Sequence, residues 1–238
     1  MVGKRVIVGC GPGAADMITV RGLRAIEDAK CIAGSMRLLE TFASSLNVPK
    51  YSIAGNYGAV LDAIDEKFPN VDVVFLVSGD PLFFSLGEQI VKRYGKERCE
   101  IIPGISSVQY AASRIGESWK NIKSFTLHGG VRFEESETET ENALFKKLFA
   151  AESELAFLMD KKRDPEYIKN RMGGKLPSDY EYFLCQNLSS EEESVKSIEP
   201  QEFENLPVAS LSLLIALKRE PFSEKSEGNL QTGESEKI

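Results

Sequence analysis

The chain holds one histidine, His128, one tryptophan and four cysteines in 238 residues. Cys10, Cys31, Cys99 and Cys185 are scattered without a C-x-x-C pair. A lone histidine and dispersed thiols do not make a zinc site or a disulfide framework, so no metal is expected and the cysteines read as small core residues in a reducing compartment. Positive charge is scarce: 29 Lys and Arg against 36 Asp and Glu leave a net charge of −7. Nucleic acid is bound largely through phosphate neutralisation, so a broad basic face for it is not expected, although a small basic pocket is compatible with this balance. No uncharged apolar run reaches the roughly 18 residues that a membrane-spanning helix needs. Lys4-Arg5 pass directly into Val6-Ile7-Val8-Gly9, without the apolar core of a secretion signal. These absences together predict a cytoplasmic protein bound to neither membrane nor nucleic acid.

What is present is an ordinary globular composition, 42% apolar and 27% charged, on a chain long enough for one large or two ordinary domains. Its most apolar stretch is Val71 to Val77, broken only by Asp72. Such a run predicts a strand buried on both faces of a parallel sheet, with a ligand at its carboxyl end. The loop there is Ser78-Gly79-Asp80-Pro81-Leu82-Phe83-Phe84. Gly79 permits close backbone approach, Pro81 fixes the turn, and Asp80 offers a helix cap or an acceptor for a ligand. A second strand, Lys4 to Val8, runs into Gly9-Cys10-Gly11-Pro12-Gly13-Ala14, after which Thr19 caps a helix carrying Leu23, Ile26 and Ala29. This satisfies G-x-G-x-x-G/A, so a dinucleotide-dependent oxidoreductase or a non-catalytic nucleotide-binding module is a rival reading. Against it, Pro12 removes an amide from the turn, residues 14–18 delay the helix, and Gly34-Ser35 stand where a ribose-binding carboxylate belongs.

Further helices are predicted over Ser35 to Leu46, Ala59 to Phe68, and through Gln89-Ile90-Val91 to a stop at Gly95. A strand at Cys99 to Ile102 is cut by Pro103-Gly104, and Ser106-Ser107 open another helix. Strand and helix alternate to about residue 115, the signature of an open parallel sheet. The periodicity lapses at Gly116 to Trp119 and resumes with strands at Ser124 to Leu127, Leu155 to Met159, Tyr180 to Gln186 and Ser210 to Leu217. Between them lie an acidic surface loop at 134–141, a helix at Asn142 to Ala150, and a cap at Asp164-Pro165. The expected division is an α/β domain over 1–116, a second over 117–220, and a polar, disordered tail over 221–238.

Four segments taken together resemble the tetrapyrrole methylase family: VGCGPGAADMIT at 8–19, SGDPLFF at 78–84, IIPGISSVQYAASRIG at 101–116 and QNLSSEEE at 186–193. The likeness runs through nearly the whole chain up to the tail. It is strongest to the members that methylate carbon 5 of a cobalt-containing corrin, with sister enzymes for other ring positions or metal-free rings as alternatives. The resemblance implies two α/β domains, each with a mainly parallel or mixed sheet flanked by helices, and S-adenosylmethionine in the cleft between them, often within a homodimer. Carried over by position, Pro12, Gly79, Asp80, Pro81, Phe84, Ser106 and Ser107 line the cofactor site, Met159 and Leu188 enclose the adenine, and Ser210 and Leu211 lie nearby. The implied acceptor is a corrinoid with several carboxylate arms, for which Arg37, Arg114, Lys120 and Arg132 are the candidate cations. His128, at a predicted strand end, is the candidate for taking the proton lost from carbon 5. The family commonly places arginine after His-Gly; this chain has Gly130, and Arg132 is the candidate substitute. A carbon-15 methylating and decarboxylating step is expected from a separate protein.

Overall fold

A computed structural model describes residues 3–53, 55, 57–127, 137–204 and 206–219. Of the run singled out by its apolarity, Val73–Val77 form β4, which begins after Asp72 rather than at Val71, and all five of its residues are buried. It pairs in parallel with β1 (Arg5–Gly9) on one side and β2 (Ile32–Gly34) on the other. The edges are β5 (Cys99–Ile102) and β3 (Lys50–Ser52), giving a five-stranded sheet of order β3-β2-β4-β1-β5. Strand alternation divides β4 between two cores. Val74 and Leu76 meet Ile26 of α1 (Val20–Glu27) and Leu38 and Leu39 of α2 (Met36–Ala43). Val73, Phe75 and Val77 meet Leu61 and Ile64 of α3 (Tyr57–Lys67) and Ile90 of α4 (Leu86–Tyr94). A strand sandwiched in this way needs apolar residues at every position, which is why it stands out in the sequence.

The second sheet is mixed, with order β6-β7-β10-β8-β9. β6 (Lys123–Thr126) and β7 (Leu155–Met159) are parallel, whereas β10 (Ser212–Lys218) runs antiparallel to β7 and to β8 (Tyr180–Gln186), which pairs antiparallel with β9 (Ser194–Ile198). On one face, Phe157, Tyr182 and Leu214 pack against Phe145 and Phe149 of α6 (Glu137–Ala150) and Ile168 of α7 (Pro165–Arg171). On the other, Ala156, Cys185 and Ile215 pack against Val108 and Ala111 of α5 (Ser107–Ile115). The α5 helix thus leaves the first sheet at Ile102 and lays its apolar face on the second.

This is the expected fold class, an α/β chain with a parallel and a mixed sheet flanked by helices. The predicted caps are present. Thr19 Oγ1 accepts from Gly22 N at 3.1 Å, Asp164 Oδ1 from Tyr167 N at 2.9 Å, and Gly95 closes α4 at φ +83°. Two short strands, β3 and β9, were not anticipated, and the last strand begins at Ser212 rather than Ser210. All four cysteines are free thiols, and among the described residues no helix is long and apolar enough to cross a membrane. The acidic stretch expected as a surface loop over 134–141 is instead helical from Glu137, where α6 begins; residues 134–136 and the polar tail lie outside the described residues.

At the far end of the first sheet Arg5 is fully buried. Its Nη1 donates to Val71 O and its Nη2 to Asp65 Oδ1, each at 3.0 Å. Arg93 bonds Asp65 Oδ2 at 2.8 Å and Asp62 Oδ1 at 2.6 Å, and the Tyr94 ring lies 5.0 Å from the Arg5 guanidinium carbon. Burial pulls the Asp65 carboxyl upward, but the hydrogen bonds from Arg93 and Arg5 outweigh it and hold the group below the usual carboxylate range.

Candidate functional site

Three loops leave the carboxyl ends of adjacent strands of the first sheet, after β1, β4 and β5, and pack backbone on backbone. Gly79 N donates to Gly11 O at 2.8 Å and Gly11 N to Gly79 O at 3.3 Å, so the first and central loops form a two-way bridge. A Cβ built on Gly9 would lie 2.6 Å from Gly104 N and 2.7 Å from Gly79 O, and one built on Gly104 would meet Gly79 O and Gly9. Glycine is therefore required at this junction by close approach. Asp80 fastens the central loop to itself and to the third: Oδ1 accepts from Leu82 N at 2.9 Å and Oδ2 from Gly104 N at 3.3 Å. Across the cleft, Ala14 N donates to Ser189 Oγ at 3.0 Å, tying the first loop to the turn after β8. Phe84, Asn187 and Ser189 have φ of +50°, +48° and +63°, in the left-handed region that costs a side-chain-bearing residue energy. Strained backbone of this kind persists only where surrounding contacts over-determine it, and it clusters at binding sites.

Between these loops and the second sheet lies a cavity of about 340 Å³, within the size range of small-molecule sites. From the first sheet it takes Pro12, Gly79, Asp80 and Phe84, and from the start of α5 it takes Ser106 and Ser107. Ser106 also makes a capping box with Gln109, its Oγ accepting from Gln109 N at 3.2 Å. From the second sheet come Leu188 and Leu211. Nine of the residues expected around the cleft are thus gathered there, counting Arg37, whose Nη2 donates to Ser78 Oγ at 3.0 Å.

Others lie elsewhere. Met159 is fully buried in the core beneath α6 and α7, because Leu155, Phe157 and Met159 share one face of β7. Alternation sends Leu158 to the cavity instead. Ser210 is exposed before β10 begins; Ser212 and Leu213 take its place in the wall. Pro81 supports the loop from behind, its carbonyl packed against Gly87 of α4. Arg114 is paired with Glu193 at 2.7 Å, and neither it nor the exposed Lys120 lines the cavity. His128 and Arg132 lie outside the described residues. Sequence reasoning missed Ile53, Phe83 and Cys185, whose only signal was apolarity shared with the core. Burial pushes the Cys185 thiol up to about 12, so it presents a neutral surface to the cavity.

Comparison with known proteins agrees with this geometry. Residues 4–202 match the family model described as Tetrapyrrole (Corrin/Porphyrin) Methylases. The chain is 34% identical over 123 residues to the cobalt-precorrin-7 C(5)-methyltransferase of Salmonella typhimurium, an alignment covering 52% of this chain and 60% of that protein. It is 29% identical over 212 residues to the probable cobalt-precorrin-7 C(5)-methyltransferase of Methanocaldococcus jannaschii, covering 88% of this chain and 95% of that one. The crystal structure of uroporphyrin-III C-methyltransferase from Thermus thermophilus complexed with S-adenosylhomocysteine superposes with a TM-score of 0.67 at 20% identity, over 90% of this chain and 92% of that one. With matched residues reaching from the first strand through β9, the chain belongs to the tetrapyrrole (corrin/porphyrin) methylase family.

Proposed function

We propose that this protein is an S-adenosylmethionine-dependent methyltransferase of corrin biosynthesis that methylates carbon 5 of cobalt-precorrin-7. The observation that carries the reading is the alignment with a protein named as a probable enzyme of that activity, over 88% of this chain and 95% of that protein. The cavity fits a nucleoside with an amino-acid arm. Leu158, Leu188 and Leu213 supply an apolar wall that an adenine desolvates at little cost, while Asp80, Ser106 and Ser107 supply a few polar groups at one side. S-adenosylmethionine, when bound, supplies a methyl group on a sulfonium, ready for in-line displacement. The chain's task is positioning: loops locked by glycine contacts hold the donor within the roughly 3–3.5 Å of a near-attack arrangement. The half-exposed Phe84 and Leu211, which line the cavity, offer apolar cover to a flat macrocycle. A homodimer, a cytoplasmic location and a separate carbon-15 methyltransferase complete the reading.

Calorimetry tests the first half of it: S-adenosylhomocysteine should bind in the micromolar range, and nicotinamide nucleotides should not bind. Incubation with cobalt-precorrin-7 and a ¹³C-labelled methyl donor, followed by NMR location of the label, tests the second. A label at any carbon other than 5 overturns the substrate assignment while leaving the family intact.

Leu127 donates its amide to Leu158 O at 2.8 Å, and Leu158 lines the cavity; His128, the next residue in sequence, lies outside the described residues. We assign it the proton released from carbon 5. His128→Ala should lower kcat about 100-fold or more with S-adenosylhomocysteine affinity unchanged; unchanged turnover removes it from the reaction.

A further inference from the structure

We infer that Arg37 is the carboxylate-recognition residue of the cavity: its guanidinium, held by Ser78 and lying over Gly13, receives the carboxylate of a small-molecule ligand. This rests on the proposed reading, in which both ligands carry carboxylates, one on the methionine arm of the donor and several on the corrin.

Arg37 sits in the first turn of α2, two residues past the Ser35 cap, and lines the cavity half-buried. Among the described residues it enters no ion pair, and its guanidinium makes one hydrogen bond, to a neutral hydroxyl, Ser78 Oγ at 3.0 Å. A guanidinium has five N–H donors, and most of this one's are left for something else. Burial lowers the pKa of Arg37, the expected effect on a cation that has lost water and gained no counter-charge. The neighbouring candidates do not provide that charge. Cys10, which faces it from the first loop, has its thiol pushed up to about 12 by burial and stays neutral. Asp80 is the other charged residue lining the cavity, and both its oxygens already accept backbone amides.

The first loop is shaped around the group. A Cβ on Gly13 would collide with Arg37 Nη1, and Gly13 has φ +142°. The guanidinium thus lies against Gly13, fixed through Nη2 by Ser78, in a residue that lines the cavity. A planar, bidentate anion matches a guanidinium fork better than any neutral polar group, and a carboxylate is the planar anion that both proposed ligands share.

The test uses the full chain with Arg37→Gln and Arg37→Lys. Three probes are titrated calorimetrically: S-adenosylhomocysteine, 5′-methylthioadenosine, which keeps the nucleoside but lacks the amino-acid arm, and dicyanocobyrinic acid, a corrinoid polycarboxylate. Loss of a charge-assisted hydrogen bond predicts that Arg37→Gln weakens one carboxylate ligand about 10- to 100-fold, with Arg37→Lys intermediate and methylthioadenosine unchanged. A loss confined to S-adenosylhomocysteine identifies the methionine carboxylate; a loss confined to cobyrinic acid identifies a corrin arm. The inference is overturned if both carboxylate ligands bind the variants as tightly as wild type, or if methylthioadenosine weakens in step, which would mean that Arg37 merely supports the cavity wall. Failure of the wild-type chain to bind either nucleoside would instead overturn the proposed methyl-donor site, and the cobyrinic acid titration would then decide the role of Arg37 by itself.

Discussion

Gly104→Ala should cost about 3 kcal/mol of stability and abolish nucleoside binding. The added methyl group would press on Gly79 O and on the Gly9 backbone. Overpacking typically costs about 1–3 kcal/mol, and the upper end applies here because the opposing atoms are main chain and cannot rotate aside. For a chain of this length the loss corresponds to a fall in Tm of roughly 6–12 °C. The effect on binding should exceed the effect on folding. Relief of the clash requires the loops after β1, β4 and β5 to separate, which breaks the Gly11–Gly79 bridge and the Asp80 to Gly104 bond that frame the cavity. Chemical denaturation should show a lower midpoint with an unchanged m-value, and calorimetry with S-adenosylhomocysteine should show no heat. A variant with wild-type midpoint and affinity would mean that the three loops are not in mutual contact.

Asp65→Asn should destabilise the protein by about 2–4 kcal/mol without altering ligand affinity, because it acts at the opposite end of the first sheet. Arg5 is fully buried, and Asp65 is the carboxylate that neutralises it. Removing one partner of an enclosed ion pair costs roughly 3–5 kcal/mol; the lower figure follows from Asp65 itself being about one-third exposed, at 32%. Acid should erase the difference. The Asp65 carboxyl is held below its ordinary value, so its contribution is present above the unfolded-state value and is lost as pH falls through the folded-state one. The stability gap between wild type and variant should therefore be constant from neutral pH to about pH 5 and close below about pH 4. A gap that persists to pH 2 would indicate that packing around the side chain, and not its charge, supports Arg5.

How much of this could be read from residues alone depended on whether a position is defined by its own chain neighbours or by distant ones. The central strand was legible because a strand covered on both faces is apolar throughout, and Val73 to Val77 are all buried. Helix starts at Thr19, Ser106 and Asp164 were legible because a cap is a local bond between a side chain and an amide three residues on. By contrast β3 has three half-covered or exposed residues, and β9 reads Ser-Val-Lys-Ser-Ile, a pattern that becomes a strand only because β8 lies beside it. Met159, expected around the cleft, lies in the core one position from the residue of β7 that lines the cavity, for a related reason. A strand end has two faces, and only the placement of α6 and α7 tells which is core. The opposing faces of the first loop and the β8–β9 turn meet through Ala14 and Ser189, 175 residues apart, and no local pattern announces such a bond. The same holds for Arg37, which the sequence marks as a cation but which only the packing shows to have no counter-charge among the described residues.

The antiparallel setting of β10 has a consequence for how this scaffold diversifies. Because β10 runs against β7 and β8, its opening residues lie in register with their closing ones, Ser212 opposite both Met159 and Gln186. One wall of the cavity is therefore a hydrogen-bonded panel whose side chains can be exchanged singly without moving the main chain, whereas the facing wall is built of peptide groups in contact and tolerates almost no substitution. Retuning toward a different ligand would accumulate on the panel, at Leu158, Cys185 and Leu213, and leave the glycine side untouched.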